Sequence, residues 1–206
     1  MKLYTNKFSP NCRKVHALAA HLGVELEDVT VNLMTGDQKK SEYLAINPNG
    51  KVPALVAGST KLWESNAILA YVAGQSKTDT TVWPKSDVRY DILRWMFWES
   101  NYLTQCVGTL IGEKIFKPLR GGEPDQTVID AQLKKFRHHA AILNGELESK
   151  KFLAGNDVTI ADFSVGVWFG YREACELPIK EFGHIERWLG DLASVKGWSE
   201  IAPPKM

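Results

Sequence analysis

The hydrophobic pattern of this chain changes once, and that change limits the folds open to it. Over the first 76 residues short strand-like and helix-like segments alternate, whereas beyond residue 87 every strong signal has helical spacing. Residues 77–87 between them (KTDTTVWPKSD) are polar, carry a proline and lack periodicity, as an interdomain linker does. The chain therefore reads as an α/β domain over 1–76, a linker over 77–87 and an all-helical domain over 88–206.

Within the first domain, residues 2–4 form a short strand-like segment. Val15, Leu18, Ala19 and Leu22 follow at i, i+3, i+4 and i+7, one face of an amphipathic helix, and Gly23 stands where its C-cap is expected. Residues 26–31 read as a second strand, so strand, helix and strand make a βαβ unit with parallel strands. Asn47-Pro48-Asn49-Gly50-Lys51-Val52-Pro53 is too dense in turn residues to be anything but a loop. Residues 54–56 and 61–63 flank Gly58-Ser59 as an antiparallel hairpin, and Ser65 opens a helix carrying Ile68, Leu69 and Val72. The order βαβ–loop–ββα is that of a thioredoxin-like domain.

In the second domain Ile129, Leu133, Phe136, Ala140, Leu143 and Leu147 are spaced 4-3-4-3-4, the seam of a helix in a bundle. Ile92, Trp95, Met96 and Leu103 predict a long helix before it, and residues 117–124 (KPLRGGEP) separate the two. Residues 159–171 are apolar nearly all round, as a helix at the centre of a domain is. Thr159 and Asp162, three apart at its start, suit reciprocal capping and predict a structural role.

Composition removes several functions. A net charge of +1 on 206 residues lacks the basic excess of a nucleic-acid binder. No apolar run approaches the roughly 18 residues of a membrane span, and the N-terminus has no secretory hydrophobic region. Three widely spaced cysteines, Cys12, Cys106 and Cys175, form neither a disulfide framework nor a zinc-ligand pattern, which fits a reducing cytoplasm and no metal.

Three segments carry chemistry. Phe8-Ser9-Pro10-Asn11-Cys12-Arg13 lies between the first strand and helix, so Ser9 heads a helix whose unpaired N–H groups and partial positive charge favour an anion. Ser9 is either an N-cap followed by Pro10 or a donor that steadies a thiolate. Val52-Pro53 precedes a strand; a cis bond there would turn the Val52 main chain outward, and a trans turn would not. Ser65, a natural N-cap, either closes its own helix or binds a carboxylate with Glu64 facing an ammonium.

Taken in order, these segments resemble those of the cytosolic glutathione transferases of the serine type, close to the theta and phi classes and to many bacterial members. The likeness runs over essentially the whole chain. Ser9 with Cys12, Arg13 and Val15 resembles the serine motif at the head of helix 1. Gly36-Asp37-Gln38-Lys39 with Leu44-Ala45-Ile46-Asn47-Pro48 resembles the segment at the glycine end of glutathione. The loop ending in Val52-Pro53 resembles the one that pairs with the cysteinyl unit before a cis-proline, and Glu64-Ser65 resembles the γ-glutamyl clamp. Phe152-Leu153-Ala154-Gly155 and Thr159-Ile160-Ala161-Asp162-Phe163 match the buried-helix signature.

The resemblance implies a transferase in which glutathione thiolate, stabilised by Ser9, attacks a small hydrophobic electrophile, with accessory peroxidase or isomerase activity open to the same site. Glutathione would be a co-substrate, with no permanently bound cofactor, held by Gln38, Lys39, Lys51, Val52, Pro53, Glu64 and Ser65. Gln38 stands where some relatives carry histidine, which shifts carboxylate binding towards Lys39 and Lys51. Asn11, Cys12 and Arg13 are accessory candidates, and Phe8, Trp98 and Tyr102 are candidates for contact with the electrophile. A homodimer is expected, with no nucleic-acid or membrane partner. Two alternatives stand beside this reading: glutathionyl transfer through Cys12, and a non-catalytic module that keeps the fold for dimerisation or regulation.

Overall fold

A computed structural model of the chain describes residues 1–76 and 80–203; residues 77–79 of the expected linker, and residues 204–206, lie outside the described residues. The chain divides into two compact units, Met1–Pro84 with the segment from Val195 onward, and Lys85–Ser194.

The first unit begins with β1 (Lys2–Thr5), α1 (Pro10–Leu22) and β2 (Glu27–Thr30), and β1 pairs with β2 in parallel, as expected of a βαβ unit. The apolar stripe of α1 is buried, and Gly23 ends the helix at φ 67°, a left-handed cap suited to glycine. A 3-10 turn (Asp37–Lys39) and the one-turn α2 (Ser41–Leu44) lead through the proline-rich loop to β3 (Ala54–Ala57) and β4 (Thr60–Trp63). These pair antiparallel across Gly58-Ser59, and α3 (Ser65–Gln75) follows. The sheet order is β2-β1-β3-β4, with β1 and β3 central.

Alternation sorts the sheet's side chains onto two faces. Tyr4 and Ala54 cluster with Val31, Tyr43, Ile46 and Val52 on one. Leu3 and Leu55, fully buried, belong to the other, where α3 lies against β3 and β4 and packs on α1.

The second unit opens with nearly continuous helix: α4 (Val88–Trp98), a π-helical turn (Glu99–Leu103), α5 (Thr104–Ile111), a second π turn (Gly112–Phe116) and α6 (Lys117–Leu119). The break expected over 117–124 begins only after Leu119, with Pro118 accommodated in α6 directly after the second π turn. Asp125 then caps α7 (Gln126–Glu146) by accepting from the Val128 N–H at 3.2 Å. Of the predicted seam on α7, Ile129, Phe136, Ala140 and Leu143 are buried, and Leu147 is buried just beyond it. Every residue of α8 (Ile160–Gly166) is buried, and a 3-10 turn (Val167–Tyr171) continues it before α9 (Gly183–Ala193).

One boundary differs from the expectation. The helical domain read as 88–206 gives up its last residues: the chain from Val195 returns to the first unit and lies on α1. Gly197, at φ 81°, permits this, since a β-carbon there would stand 2.4 Å from the Ala17 carbonyl oxygen. Arg13 Nε then donates to the Ile201 carbonyl at 3.0 Å, and His21 Nδ1 to that of Lys196 at 3.1 Å.

Candidate functional site

Strand directions bring the predicted residues of the first unit to one end of the sheet. Tyr4 is level with Val29 and Ala54, and Ala54 with Trp63. The chain therefore leaves β1, β2 and β4, and enters β3, at the same edge. Ser9 follows β1, Gln38 and Lys39 follow β2, Lys51-Val52-Pro53 precedes β3 and Glu64-Ser65 follows β4. Side-chain contacts join these loops. The Ser65 hydroxyl donates to Asn11 Oδ1 at 3.1 Å, tying the head of α3 to the first turn of α1. A β-carbon on Gly50, at φ 59°, would stand 3.1 Å from the Gln38 carbonyl oxygen, so the Lys51 loop runs directly over the 3-10 turn.

Ser9 is the N-cap residue of α1, with φ −85°, ψ 120° and Pro10 after it, yet its side chain makes no capping hydrogen bond. Its carbonyl accepts from Cys12 and Arg13, and its own N–H donates to Asn6. Geometrically it is a partly exposed hydroxyl on an open helix terminus.

Cys12 has the opposite setting. It is fully buried and accepts the Asn6 N–H at 3.4 Å. Burial pushes its thiol pKa up, outweighing that N–H and the nearby Ser9 hydroxyl. The guanidinium of Arg13, also buried, is turned to main-chain carbonyls, those of Ile201 and Lys7, the latter at 3.1 Å.

The Val52–Pro53 peptide is cis. Its loop is held from below: Tyr43 Oη donates to the Lys51 carbonyl at 2.5 Å and Asn47 Nδ2 to the same oxygen at 2.6 Å. Burial pushes the Tyr43 hydroxyl up to about 12, so it stays a neutral donor. Among the described residues the Val52 N–H and C=O enter no hydrogen bond. Lys39 and Lys51 are exposed, and Gln38 Oε1 is buried without a partner among the described residues. Glu64, and not Ser65 as expected, is the N-cap residue of α3, with Ser65 its first helical residue; Glu64 is exposed and held at φ 70°, an uncommon conformation for a non-glycine residue.

Phe8 precedes Ser9 in the loop after β1. It lines a cavity of about 700 Å³ near the β2 edge, together with Thr5, His16, Asp28 and Glu200. Trp98 and Tyr102 belong to the second unit, where their ring centroids are 6.5 Å apart and both pack on His139. Trp95, a further aromatic on α4, is a core residue at 2% exposure.

One buried polar residue stands outside the sequence-predicted set. Lys14, fully buried, donates from Nζ to Asn66 Oδ1 at 2.8 Å. Its signal was present: a lysine three and four residues before Ala17 and Leu18 stands on the apolar stripe of α1.

Comparison with known proteins agrees with the fold. The family model for the glutathione S-transferase N-terminal domain matches residues 1–74, and that for the C-terminal domain matches residues 99–194. A probable glutathione S-transferase, GSTF2 of Oryza sativa subsp. japonica, is 31% identical, covering 99% of this chain and 98% of its own. The crystal structure of glutathione transferase F7 from Populus trichocarpa superposes with a TM-score of 0.87 at 27% identity, covering 97% of this chain and 96% of its own. The transferase URE2P6 of Phanerochaete chrysosporium, solved with oxidized glutathione, gives 0.86 at 26% identity over 97% and 93%.

Proposed function

This chain belongs to the glutathione S-transferase family, and from that premise we propose that its thiol activator is the Ser9 hydroxyl. One observation carries the reading: Ser9 heads α1 with its hydroxyl uncommitted to capping. Glutathione releases its thiol proton to solvent, and the Ser9 O–H donates to the resulting thiolate at the positive end of the helix. The thiolate sulfur attacks an electrophilic carbon, and an S–C bond forms as the leaving group departs with its electron pair. The first unit by which the thiol pKa falls from about 8.5 raises the thiolate fraction near pH 7 roughly eightfold, and further lowering gains less as the thiolate becomes the major form.

Glutathione binding draws on the Val52 main chain for the cysteinyl amide, the head of α3 for the γ-glutamyl carboxylate and Glu64 for the ammonium. Lys39 and Lys51 supply exposed cations for the glycine carboxylate, beside Gln38 and Pro53. The Ser65 hydroxyl already donates to Asn11, so the main-chain N–H of Ser65 is the better donor for the carboxylate.

The burial of Cys12 counts against glutathionyl transfer through that thiol. The arrangement of Ser9, Val52, Glu64 and Ser65 counts against a module without catalysis. The electrophile is proposed only by class, small and apolar. A panel of aryl halides, epoxides, hydroperoxides and mixed disulfides with glutathione separates conjugation from peroxidase and thiol-transfer chemistry.

The direct test is Ser9→Ala. We expect kcat/KM for aryl halide conjugation to fall on the order of 100-fold and its pH profile to move to higher pH. An unchanged rate and profile would take Ser9 out of the mechanism.

A further inference from the structure

We infer that Lys14 is a positioning residue for glutathione, keeping the head of α3 open by diverting the side chain of Asn66; the inference rests on the proposed function above. Helix α3 starts Ser65-Asn66, two residue types whose side chains readily bond to N–H groups at the start of a helix. Both are engaged from α1. Asn11 Oδ1 takes the Ser65 hydroxyl proton at 3.1 Å, and Lys14 Nζ occupies Asn66 Oδ1 at 2.8 Å. Asn11 and Lys14 stand three apart on α1, hence on one face, and they hold successive residues of α3.

The cost of this arrangement points the same way. An ammonium at 0% exposure loses its hydration, and an apolar residue would fill the same volume more favourably. What an apolar residue cannot do is donate to Asn66. Released, the Asn66 amide oxygen would compete with an incoming carboxylate for the N–H groups of the first α3 turn. Lys14 touches no part of the substrate in this account; it acts through Asn66.

Calorimetry with glutathione on the full-length protein tests the inference. Lys14→Met should raise the Kd for glutathione on the order of three- to tenfold. It should leave kcat at saturating glutathione, and KM for the aryl halide, within about twofold. Adding Asn66→Ala to Lys14→Met removes the competing oxygen and should restore much of the lost affinity, which a merely structural lysine would not allow. Should Lys14→Met fail to fold, single variants carry the test. Asn66→Ala should bind glutathione within about twofold of the parent, and Lys14→Gln, which keeps a neutral donor for Asn66 Oδ1, should do the same.

Unchanged affinity in Lys14→Met, no recovery in the double variant, or a several-fold loss of affinity in Asn66→Ala or Lys14→Gln would each overturn the role of Lys14. A parent protein that does not bind glutathione would instead overturn the proposed function.

Discussion

Helices α1 and α8 both start from a hydroxyl residue, Ser9 and Thr159, and they are completed in opposite ways. At α8 the Asp162 carboxylate turns back on its own helix. It accepts from the Thr159 N–H at 2.8 Å, the Thr159 hydroxyl at 3.0 Å, the Leu153 N–H at 3.0 Å and Trp188 Nε1 at 2.9 Å. The whole group is buried, and burial pushes the Asp162 carboxyl up even as those donors pull it down. At α1 nothing turns back: no acidic residue lies in the first turn, and the Ser9 side chain makes no cap. A closed helix head spends its polarity on the fold, and an open one keeps it for a ligand. The same residue type thus predicts stability at one site and chemistry at the other.

The largest effect should come from breaking the closed head. Asp162→Ala strands buried N–H donors, and we expect a loss of about 3–5 kcal/mol, or on the order of 10 °C in thermal midpoint. Activity per folded molecule should stay near that of the parent. A loss below about 1 kcal/mol in urea unfolding would show that the cap is ornamental and would erase the contrast. Ser9→Ala should do the reverse. Its stability should stay within about 0.5 kcal/mol of the parent, because no capping bond is lost, while the hundredfold fall in kcat/KM corresponds to about 2.7 kcal/mol of transition-state stabilisation.

Glu64 sharpens the comparison with a smaller effect. At φ 70° it holds a backbone conformation that glycine adopts freely. Glu64→Gly should therefore keep stability or raise it by up to about 1 kcal/mol, while glutathione binds on the order of tenfold more weakly for want of a partner to its ammonium. A variant that lost both stability and affinity would place Glu64 with the structural residues of the α8 kind.

Much of this contrast was legible from residue order, and the remainder had physical reasons to stay hidden. Periodicity located α1, the β3–β4 hairpin, the α7 seam and the buried α8, since each buries one face or all of itself. Thr159 and Asp162 were readable because their partners are local. The hydrogen bond of Ser65 was not, since its acceptor, Asn11, lies 54 residues away. Neither π turn has a sequence code that sets it apart from the α-helix around it. The return of the chain from Val195 to α1 depends on one close approach at Gly197, which leaves no periodic trace. Lys14 was visible as a charge on an apolar stripe, but its meaning required Asn66.

The smallest expected effect bears on whether the open head of α1 offers one reactive group or two. Cys12 lies one turn inside the helix and is fully buried, and burial keeps its thiol protonated beyond the ordinary range. Cys12→Ala should then leave conjugation within about twofold of the parent and cost about 1 kcal/mol through the lost sulfur contacts. Native protein should resist alkylation at Cys12 by iodoacetamide near pH 7.5, because only the thiolate reacts and little forms. Rapid labelling at that pH, or a loss in Cys12→Ala confined to mixed-disulfide substrates, would make α1 a head with two nucleophile-handling groups and return the thiol-transfer reading to the front.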